Sequence, residues 1–347
     1  MPSLALRHQR PTIFCVLVAL LLATCVISLC VGAVKIPLSD VLATLTGKQE
    51  PSGFGNILWS LRIPRVLLGV LVGGALAAAG ALMQGLFRNP LADPALIGAS
   101  SGGALGAVLI IVLGGTFFPG IPMLSDLRAL PFAAFAGALI VTWFVKSMAA
   151  SGGYTAIATL LLVGVAVNAL TSAMIGLATY LATDAQLRTL SFWTLGSLGA
   201  ADWQVVTLAA PFCLVLILLA PFWATALNAL ALGEAEAGHL GFKVERIKSL
   251  LILLTAAGVG ASVAFTGVIL FVGLVVPHLV RTLIGPDHRW LLPGSAVLGA
   301  TLLVASDTLA RTIVAPAELP IGILTAGFGA PFFLSMLLRQ RGRALWG

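Results

Sequence analysis

Long apolar runs recur along this chain, and they limit its possible folds more than any other feature. The first run, Thr12–Val34, contains no charged residue. A helix needs about 20 apolar residues to cross the hydrocarbon core of a bilayer, so 347 residues with short connections hold about ten such spans. The runs do not alternate apolar and polar residues as the strands of a membrane barrel do. We therefore predict an all-α polytopic membrane protein.

The composition agrees with membrane insertion and gives no sign of a metal site. Charged residues make up 9% of the chain and hydrophobic residues 59%, whereas soluble domains carry about 25% charged residues. The four cysteines all lie inside apolar runs without C-x-x-C spacing, so we expect no metal ligands among them. The first apolar run is also longer than the 7–15 residues of a signal-peptide core. We therefore interpret that run as the first membrane helix.

The predicted spans follow one another with short polar connections. In chain order they are Thr12–Val34, Arg62–Phe87, Ala95–Leu113, Ala129–Met148, Tyr154–Ala182, Trp203–Ala226, two short spans within Ile247–Leu283, Trp290–Val314 and Leu319–Leu338. We expect the seventh and eighth spans to separate at Thr266-Gly267. The segment Thr183–Asp202 is too polar to cross, so it predicts a short helix at the outer surface.

Ten spans place both chain ends on the same side of the membrane. Basic residues favour the cytoplasmic side of membrane proteins. With the termini inside, twelve of the nineteen Lys and Arg residues lie in the cytoplasm, including three in the stretch 339–343. The charge distribution therefore predicts cytoplasmic termini.

One polar island, residues 228–243, interrupts two long apolar runs and lies on the predicted cytoplasmic side. Its centre contains Glu234 and Glu236, two of the twelve carboxylates of the chain. Glycines at 233, 238 and 241 would divide the segment into short helical pieces, because glycine is a poor helix former. The island predicts one or two short amphipathic helices at the membrane surface, with an ordinary solvated loop as the alternative.

Five stretches, found in a fixed order between residues 61 and 331, carry a family resemblance. They are Leu61–Arg65, Arg88–Pro94 with Gly98–Gly102, Leu230–Phe242, Gly273–Arg281, and Glu318–Thr325 with Gly329–Pro331. Together they resemble the membrane permease subunits of the ABC importers for iron-siderophores, haem and cobalamin, which are type II ABC importers. The resemblance implies one permease domain over residues 1–347, located in the bacterial inner membrane.

The resemblance also implies the partners of the chain. It implies a homodimer that works with two ATPase subunits and a periplasmic binding protein, and gives no role to nucleic acid. The phosphate-binding pattern G-x-x-x-x-G-K-[ST] is absent, since Gly47-Lys48 is followed by Gln49. We therefore expect a transport subunit that is not an enzyme and holds no permanent cofactor. In the family the polar island is the coupling loop that docks on the ATPase subunit, so the candidate contact residues are Gly233, Glu234, Glu236, Gly238, His239 and Gly241.

Further site residues follow from the family motifs. Arginines at the positions of Arg62, Arg65 and Arg311 meet acidic residues of the binding protein in the family. Interfacial snorkelling is the alternative, and for Arg311 also an i,i+4 pair with Asp307. Asn89 and Leu91 lie in a loop that is close to the inner mouth of the family's pathway. They are gate candidates, with a proline-stiffened turn as the equally good alternative.

The transported substrate is the most open question. Residues 184–199 look most like the haem permeases, which makes haem the expected cargo. An apolar corridor for haem would include Met174 and Tyr180, with Arg188 at its outer mouth to bind a propionate. Siderophores and cobalamin remain alternatives within the family. A stand-alone secondary transporter is the alternative from another class, although the spans contain almost none of the carboxylates that ion coupling uses.

Overall fold

The computed structural model describes residues 4–47, 54–114 and 127–345, and helices dominate these residues. The helices are α1 Leu4–Cys30, α2 Leu38–Leu45, α3 Phe54–Ile57, α4 Ile63–Leu86, α5 Ala99–Val108, α6 Leu130–Ala149, α7 Ile157–Leu181, α8 Asp184–Thr194, α9 Trp203–Leu219, α10 Ala224–Leu230, α11 Glu234–His239, α12 Val244–Thr266, α13 Val272–Ile284, α14 His288–Ile313 and α15 Ile321–Leu345. π-Helical segments, Leu58–Arg62 and Leu109–Leu113, extend α4 and α5. A two-residue hairpin, β1 Ala150–Ser151 with β2 Tyr154–Thr155, joins α6 to α7.

The all-α polytopic class is confirmed. Seven helical stretches in the described part of the chain are long and apolar enough to cross a membrane, and they begin at residues 9, 54, 127, 157, 203, 244 and 288. Three shorter apolar helices are Ala99–Leu113, Val272–Ile284 and Ile321–Met336. These helices lie where the ten spans were predicted, while the number of membrane crossings stays a prediction.

The predicted break between the seventh and eighth spans is confirmed. Helix α12 ends at Thr266, and Gly267 has a positive φ of 70°. A Cβ atom on Gly267 would lie 2.0 Å from the carbonyl oxygen of Trp193, so no larger residue fits there. The chain then enters α13 at Val272.

Several predicted boundaries differ from the structure. Helix α1 begins at Leu4, not Thr12, and continues through Pro11. Helix α2 lies in the segment before Arg62 that was expected to be only polar. Tyr154 and Thr155 form a strand, because they pair with β1 and leave α7 to begin at Ile157. Hydropathy measures where a chain is apolar, and it does not detect where a helix begins or where a hairpin forms.

Helix α4 is the centre of the bundle. Its apolar window is 89% buried, and it packs against α9, α12, α13 and α14. Small residues allow this close contact between helix backbones. A Cβ atom on Gly80 would lie 1.8 Å from the carbonyl oxygen of Gly273, and one on Gly73 would lie 2.4 Å from that of Gly299. The glycine-rich sequence of α4 therefore serves packing.

The two ends of the bundle are distinct, and we call them the inner and outer ends after the predicted orientation. At the inner end, Arg10 of α1 lies 3.4 Å from Asp287 in the loop before α14. Helix α15 begins at the outer end, where Ile321 N donates to Gly196 O, and its 25 residues lead back toward the inner end. Both terminal helices thus have their free ends at the inner end, and its assignment to the cytoplasm rests on the charge distribution.

Candidate functional site

A short helix with exposed side chains, α11, projects at the inner end of the bundle. It lies between Gly233, at φ 143°, and Gly241, at φ 88°, so the expected glycine turns are present. Ala237 is the only buried residue of α11, whereas Gly238 and His239 are exposed. The structure therefore has the short surface helix that the sequence predicted, in preference to an irregular solvated loop.

A buried lysine holds α11 against the bundle. The Nζ atom of Lys248, in the second turn of α12, lies 2.6 Å from Oε2 of Glu234 and 2.9 Å from Oε1 of Glu245. The same ammonium donates to the carbonyl oxygen of Thr155 at 2.9 Å and lies 4.5 Å from the ring centroid of Tyr154. The side chain is only 1% exposed, and all three N–H donors of the ammonium have acceptors within the protein. The cluster ties α11, α12 and the hairpin together.

The two carboxylates of α11 lie in different environments. The Glu234 carboxylate turns inward to Lys248 and accepts a hydrogen bond from Tyr154, and its contact with an ATPase subunit stays a prediction. Glu236 is exposed, and its carboxylate lies over Gly233, where an added Cβ would come within 1.9 Å of it. From the sequence, Lys248 was one of the twelve basic residues assigned to the cytoplasmic side. The i,i+3 spacing of Glu245 and Lys248 is the signal that would have suggested their pairing.

A second polar cluster fixes α10, the helix that leads into α11. Asn228 donates to Asp287 at 2.8 Å, and its Oδ1 atom lies 2.7 Å from Nδ1 of His288. Burial alone would raise the pKa of Asp287. The hydrogen bonds from Asn228 and the Arg289 backbone, together with the nearby charge of Arg10, instead lower that pKa below its ordinary value. The carboxylate is therefore kept charged, and α10 is bound to both α1 and α14.

The outer end carries a network of ion pairs centred on Arg65 of α4. Its guanidinium lies 2.9 Å from Asp307 of α14 and 2.9 Å from Glu318 in the loop before α15. Arg311 extends the network at 3.6 Å from Asp307, so the i,i+4 pair predicted as an alternative is present. The hydrogen bonds from Arg65 lower the pKa of the Glu318 carboxyl. This network joins three distant segments of the chain.

The three candidate docking arginines are held by contacts within the chain, and their docking role stays a prediction. Arg62 is 6% exposed and donates to the carbonyl oxygens of Leu29 and Val34. Arg311 is 8% exposed and donates to Ser28. Burial and internal hydrogen bonds leave neither guanidinium free for an acidic partner in this conformation. Arg65 is also held internally, and the most accessible charge of this network is the 44%-exposed side chain of Glu318.

The loop that carries the gate candidates is a capped turn. Asn89 accepts a hydrogen bond from the backbone of Leu91 at 2.9 Å, and Asp93 accepts one from Ala95 at 2.8 Å. Asp93 thereby caps the short 3-10 helix Pro94–Ile97. These contacts are those expected for a proline-stiffened turn, the alternative to a gate role. The gate role of Asn89 and Leu91 stays a prediction.

The predicted pathway residues lie on the two consecutive helices α7 and α8. Helix α7 leaves much of its surface uncovered in the single chain, with Met174 44% and Tyr180 85% exposed. Helix α8 begins with a capping box between Thr183 and Gln186, which confirms the short helix expected after the fifth span. Arg188 is exposed on α8 and makes no ion pair with any residue that the structure describes. Its role in transport stays a prediction.

A glycine-packed bundle of membrane helices, with a short surface helix anchored at one end, defines a polytopic membrane protein. The chain belongs to the FecCD transport family, whose model matches residues 20–339. This membership confirms the resemblance seen in the five motifs. It identifies the chain as the permease of a type II ABC importer of the haem, vitamin B12 and chelate group, located in the inner membrane. It also decides against the stand-alone secondary transporter.

Individual relatives extend the comparison. The chain is 48% identical over 304 residues to the hemin transport system permease protein HmuU of Yersinia pestis, covering 88% of this chain and 90% of that protein. It is 41% identical over 342 residues to the vitamin B12 import system permease protein BtuC of Klebsiella pneumoniae, covering 97% and 96%. A solved inward-facing conformation of a metal-chelate type ABC transporter matches with a TM-score of 0.80 at 32% identity, covering 95% of this chain and 99% of that one.

Proposed function

We propose that this chain is the permease subunit of an ATP-driven importer that moves haem from the periplasm to the cytoplasm. In this proposal two copies form a homodimer, two separate ATPase subunits hydrolyse ATP, and a periplasmic binding protein delivers the haem. The identity to a hemin permease supports this choice of substrate.

The observation that carries the proposal is the uncovered apolar surface of α7 followed by the exposed cation of α8. Exposed side chains on α7 include Leu170, Leu177 and Tyr180. A second copy of the chain would cover this surface, and a pathway between the copies would be largely apolar. Haem is a flat apolar disc with two carboxylates at one edge, and the planar guanidinium of Arg188 can bind a carboxylate through two hydrogen bonds. The chemistry of the surface thus suits haem.

The contact with the ATPase subunit is proposed for α11. Leu232 and Leu240 are 71% and 63% exposed on either side of this helix, next to the exposed Gly238 and His239. Apolar side chains of this kind bury readily against a groove, and hydrophobic burial drives most protein association. Lys248 would transmit force from α11 to α12, because its ammonium binds carboxylates on both helices.

As docking residues for the binding protein, Arg65 and Glu318 are better candidates than Arg62 and Arg311, whose guanidinium groups are buried. Glu318 is the accessible carboxylate of the outer network, and Arg65 binds it directly. A partner that offers both signs of charge would match this pair, and such surface charges govern encounter and register more than affinity.

The experiment is uptake into proteoliposomes that contain the chain with its ATPase partner, supplied with haem-loaded binding protein. We expect ATP-dependent accumulation of a haem absorbance band inside the vesicles. Cobalamin is the second candidate, favoured by the coverage of the BtuC relative. Cobalamin uptake that excess haem does not inhibit would overturn the haem assignment and retain the importer.

A further inference from the structure

An apolar groove with a basic mouth lies between α6 and α12 on the side of the bundle. It encloses about 540 Å³, within the roughly 300–1,000 Å³ range of small-ligand sites. Leu139 and Trp143 of α6 form one wall, and Leu250 and Leu253 of α12 form the other. Trp143 and Leu253 are more than 60% exposed, so the groove opens sideways toward the position of the lipid chains.

Two cations stand where the groove reaches the inner end of the bundle. Lys146 lies in the last turn of α6, and Arg246 lies in the first turn of α12. Neither makes an ion pair with a carboxylate in the described residues, although the bundle pairs Arg10, Arg65, Lys248 and Arg311. Glu245 also lines the groove, but its charge is used by Lys248 and by the backbone N–H of Thr155. The mouth is therefore positive.

A buried hydroxyl below the mouth also lacks a partner. Thr142 lines the groove and is 3% exposed, and its Oγ1 atom has no hydrogen-bond partner among the residues that the structure describes. A buried hydroxyl without a partner is costly, so its presence points to a group that is bound there. Ser249 adds a second hydroxyl on the opposite wall.

We propose that this groove binds one anionic phospholipid of the inner leaflet. Lys146 and Arg246 bind its phosphate, the hydroxyl of Thr142 donates to an ester oxygen of the glycerol backbone, and the acyl chains lie along Leu250 and Leu253. From the inner end of the bundle toward the membrane centre, the groove presents cations, then hydroxyls, then apolar side chains. A phospholipid presents its phosphate, ester groups and acyl chains in the same order. Basic pockets between membrane helices on the cytoplasmic side are known to select anionic headgroups.

The position of the groove gives the lipid a structural effect on α12. The first two turns of α12 contribute Arg246 and Ser249 to the groove and Lys248 to the cluster that holds α11. A lipid that bridges α6 and α12 would therefore stabilise the same turns that anchor the surface helix. This inference does not depend on which substrate is transported.

The test is native mass spectrometry of the full chain in detergent, titrated with phosphatidylglycerol and, separately, phosphatidylcholine. We expect phosphatidylglycerol to bind at least tenfold more tightly. The double variant Lys146→Gln/Arg246→Gln should remove this preference. The matched control, Lys243→Gln/Arg289→Gln, deletes two exposed cations of the same end that do not line the groove and should retain it.

A third variant, Ser249→Trp, fills the groove without changing its charge and should also reduce phosphatidylglycerol binding. Thermal unfolding of each variant in lipid-free detergent shows whether the chain still folds. Equal binding of the two lipids, or equal losses in the groove and control variants, would contradict the proposal. Competition by glycerol phosphate, which lacks acyl chains, would show an anion site and refute the lipid assignment.

Discussion

The ammonium of Lys248 lies 2.6 Å from the carboxylate of Glu234, and this contact attaches the exposed helix α11 to the membrane-spanning helix α12. The lysine side chain is only 1% exposed and that of Glu234 is 19% exposed, so the ammonium is buried while the carboxylate lies at the edge of the bundle. Removing one member of a buried ion pair leaves an uncompensated charge, which typically costs several kcal/mol. The contact thus explains how a six-residue helix keeps a fixed position.

We therefore predict that Lys248→Met loosens α11 and uncouples ATP hydrolysis from transport. Two partly exposed carboxylates, Glu234 and Glu245, would lose their cation, and we expect a destabilisation smaller than the roughly 3–5 kcal/mol that an unpaired, fully buried charge costs. Thermal unfolding and ligand-stimulated ATP hydrolysis of the assembled importer measure the two effects. Glu236→Gln is the matched control, because Glu236 is exposed and does not contact Lys248. Normal stability and coupling in Lys248→Met would contradict this role.

For α11 itself, Gly238→Pro should uncouple hydrolysis while the chain stays folded. Gly238 is exposed and has open space around it, so a proline there does not clash with the bundle. Proline has no backbone N–H and disrupts α11 locally. Glu234→Arg should instead lower stability, since it places a cation against Lys248. Ligand-stimulated hydrolysis and unfolding temperature separate these two outcomes. Equal thermal losses in both variants would argue against a distinct surface role for Gly238.

At the outer end, Arg65→Met should destabilise the fold by about 3–5 kcal/mol, because it leaves Asp307 buried without its main partner. The double variant Arg65→Met/Asp307→Leu should recover only part of this loss, because it removes the buried carboxylate but leaves Arg311 without its ion-pair partner. The measurement is unfolding of the purified chain in detergent. Arg188→Met is the control, as Arg188 lacks an ion pair in the described residues. Rescue by a charge change on a binding protein would favour docking instead.

Acid should weaken the same network. The hydrogen bonds from Arg65 lower the pKa of Glu318 below 4.5, so this carboxylate stabilises the folded state above about pH 4.5. Its contribution is lost as the pH falls through the lowered pKa. We expect the unfolding temperature of the Glu318→Gln variant to fall less steeply with decreasing pH in this acidic range than that of the unmodified chain. An unchanged acid profile in the variant would exclude Glu318 as a contributor.

Substrate transport tests the proposed role of Arg188. Arg188→Ala should reduce haem uptake severely and Arg188→Lys should retain part of it, because lysine keeps the charge but cannot form the bidentate contact. Basal ATP hydrolysis should persist in both. Thr189→Ala, at the neighbouring exposed position, is the control. Unchanged haem uptake in Arg188→Ala would remove this residue from the pathway.

The ten-span topology can be tested by cysteine labelling in a background without the four native cysteines. An introduced thiol at Asn56, which is exposed before α4, should react with a reagent added outside intact cells. A thiol at Glu236 should react only after the membrane is opened. Labelling at Glu236 in intact cells would reverse the predicted orientation.

The sequence by itself determined the elements whose cause is local. Apolar runs located the membrane helices, and glycine marked the end of α12 at Thr266 and the turns around α11. The pair between Asp307 and Arg311 was also foreseeable, because residues four apart on a helix are neighbours. Motif order further identified the family. Each of these conclusions depends on residues that are close in the chain.

Only the tertiary structure decided which polar groups meet. Arg65 binds a carboxylate 253 positions away, and Arg62 donates to carbonyl oxygens 33 and 28 positions before it. Lys248 turns into the protein, whereas Lys146 and Arg246 line a groove and make no ion pair with any carboxylate in the described part of the chain. In the sequence all of these cations look alike, as basic residues near helix ends. Their roles differ because helix packing determines which carboxylate or carbonyl group lies within reach of each charge.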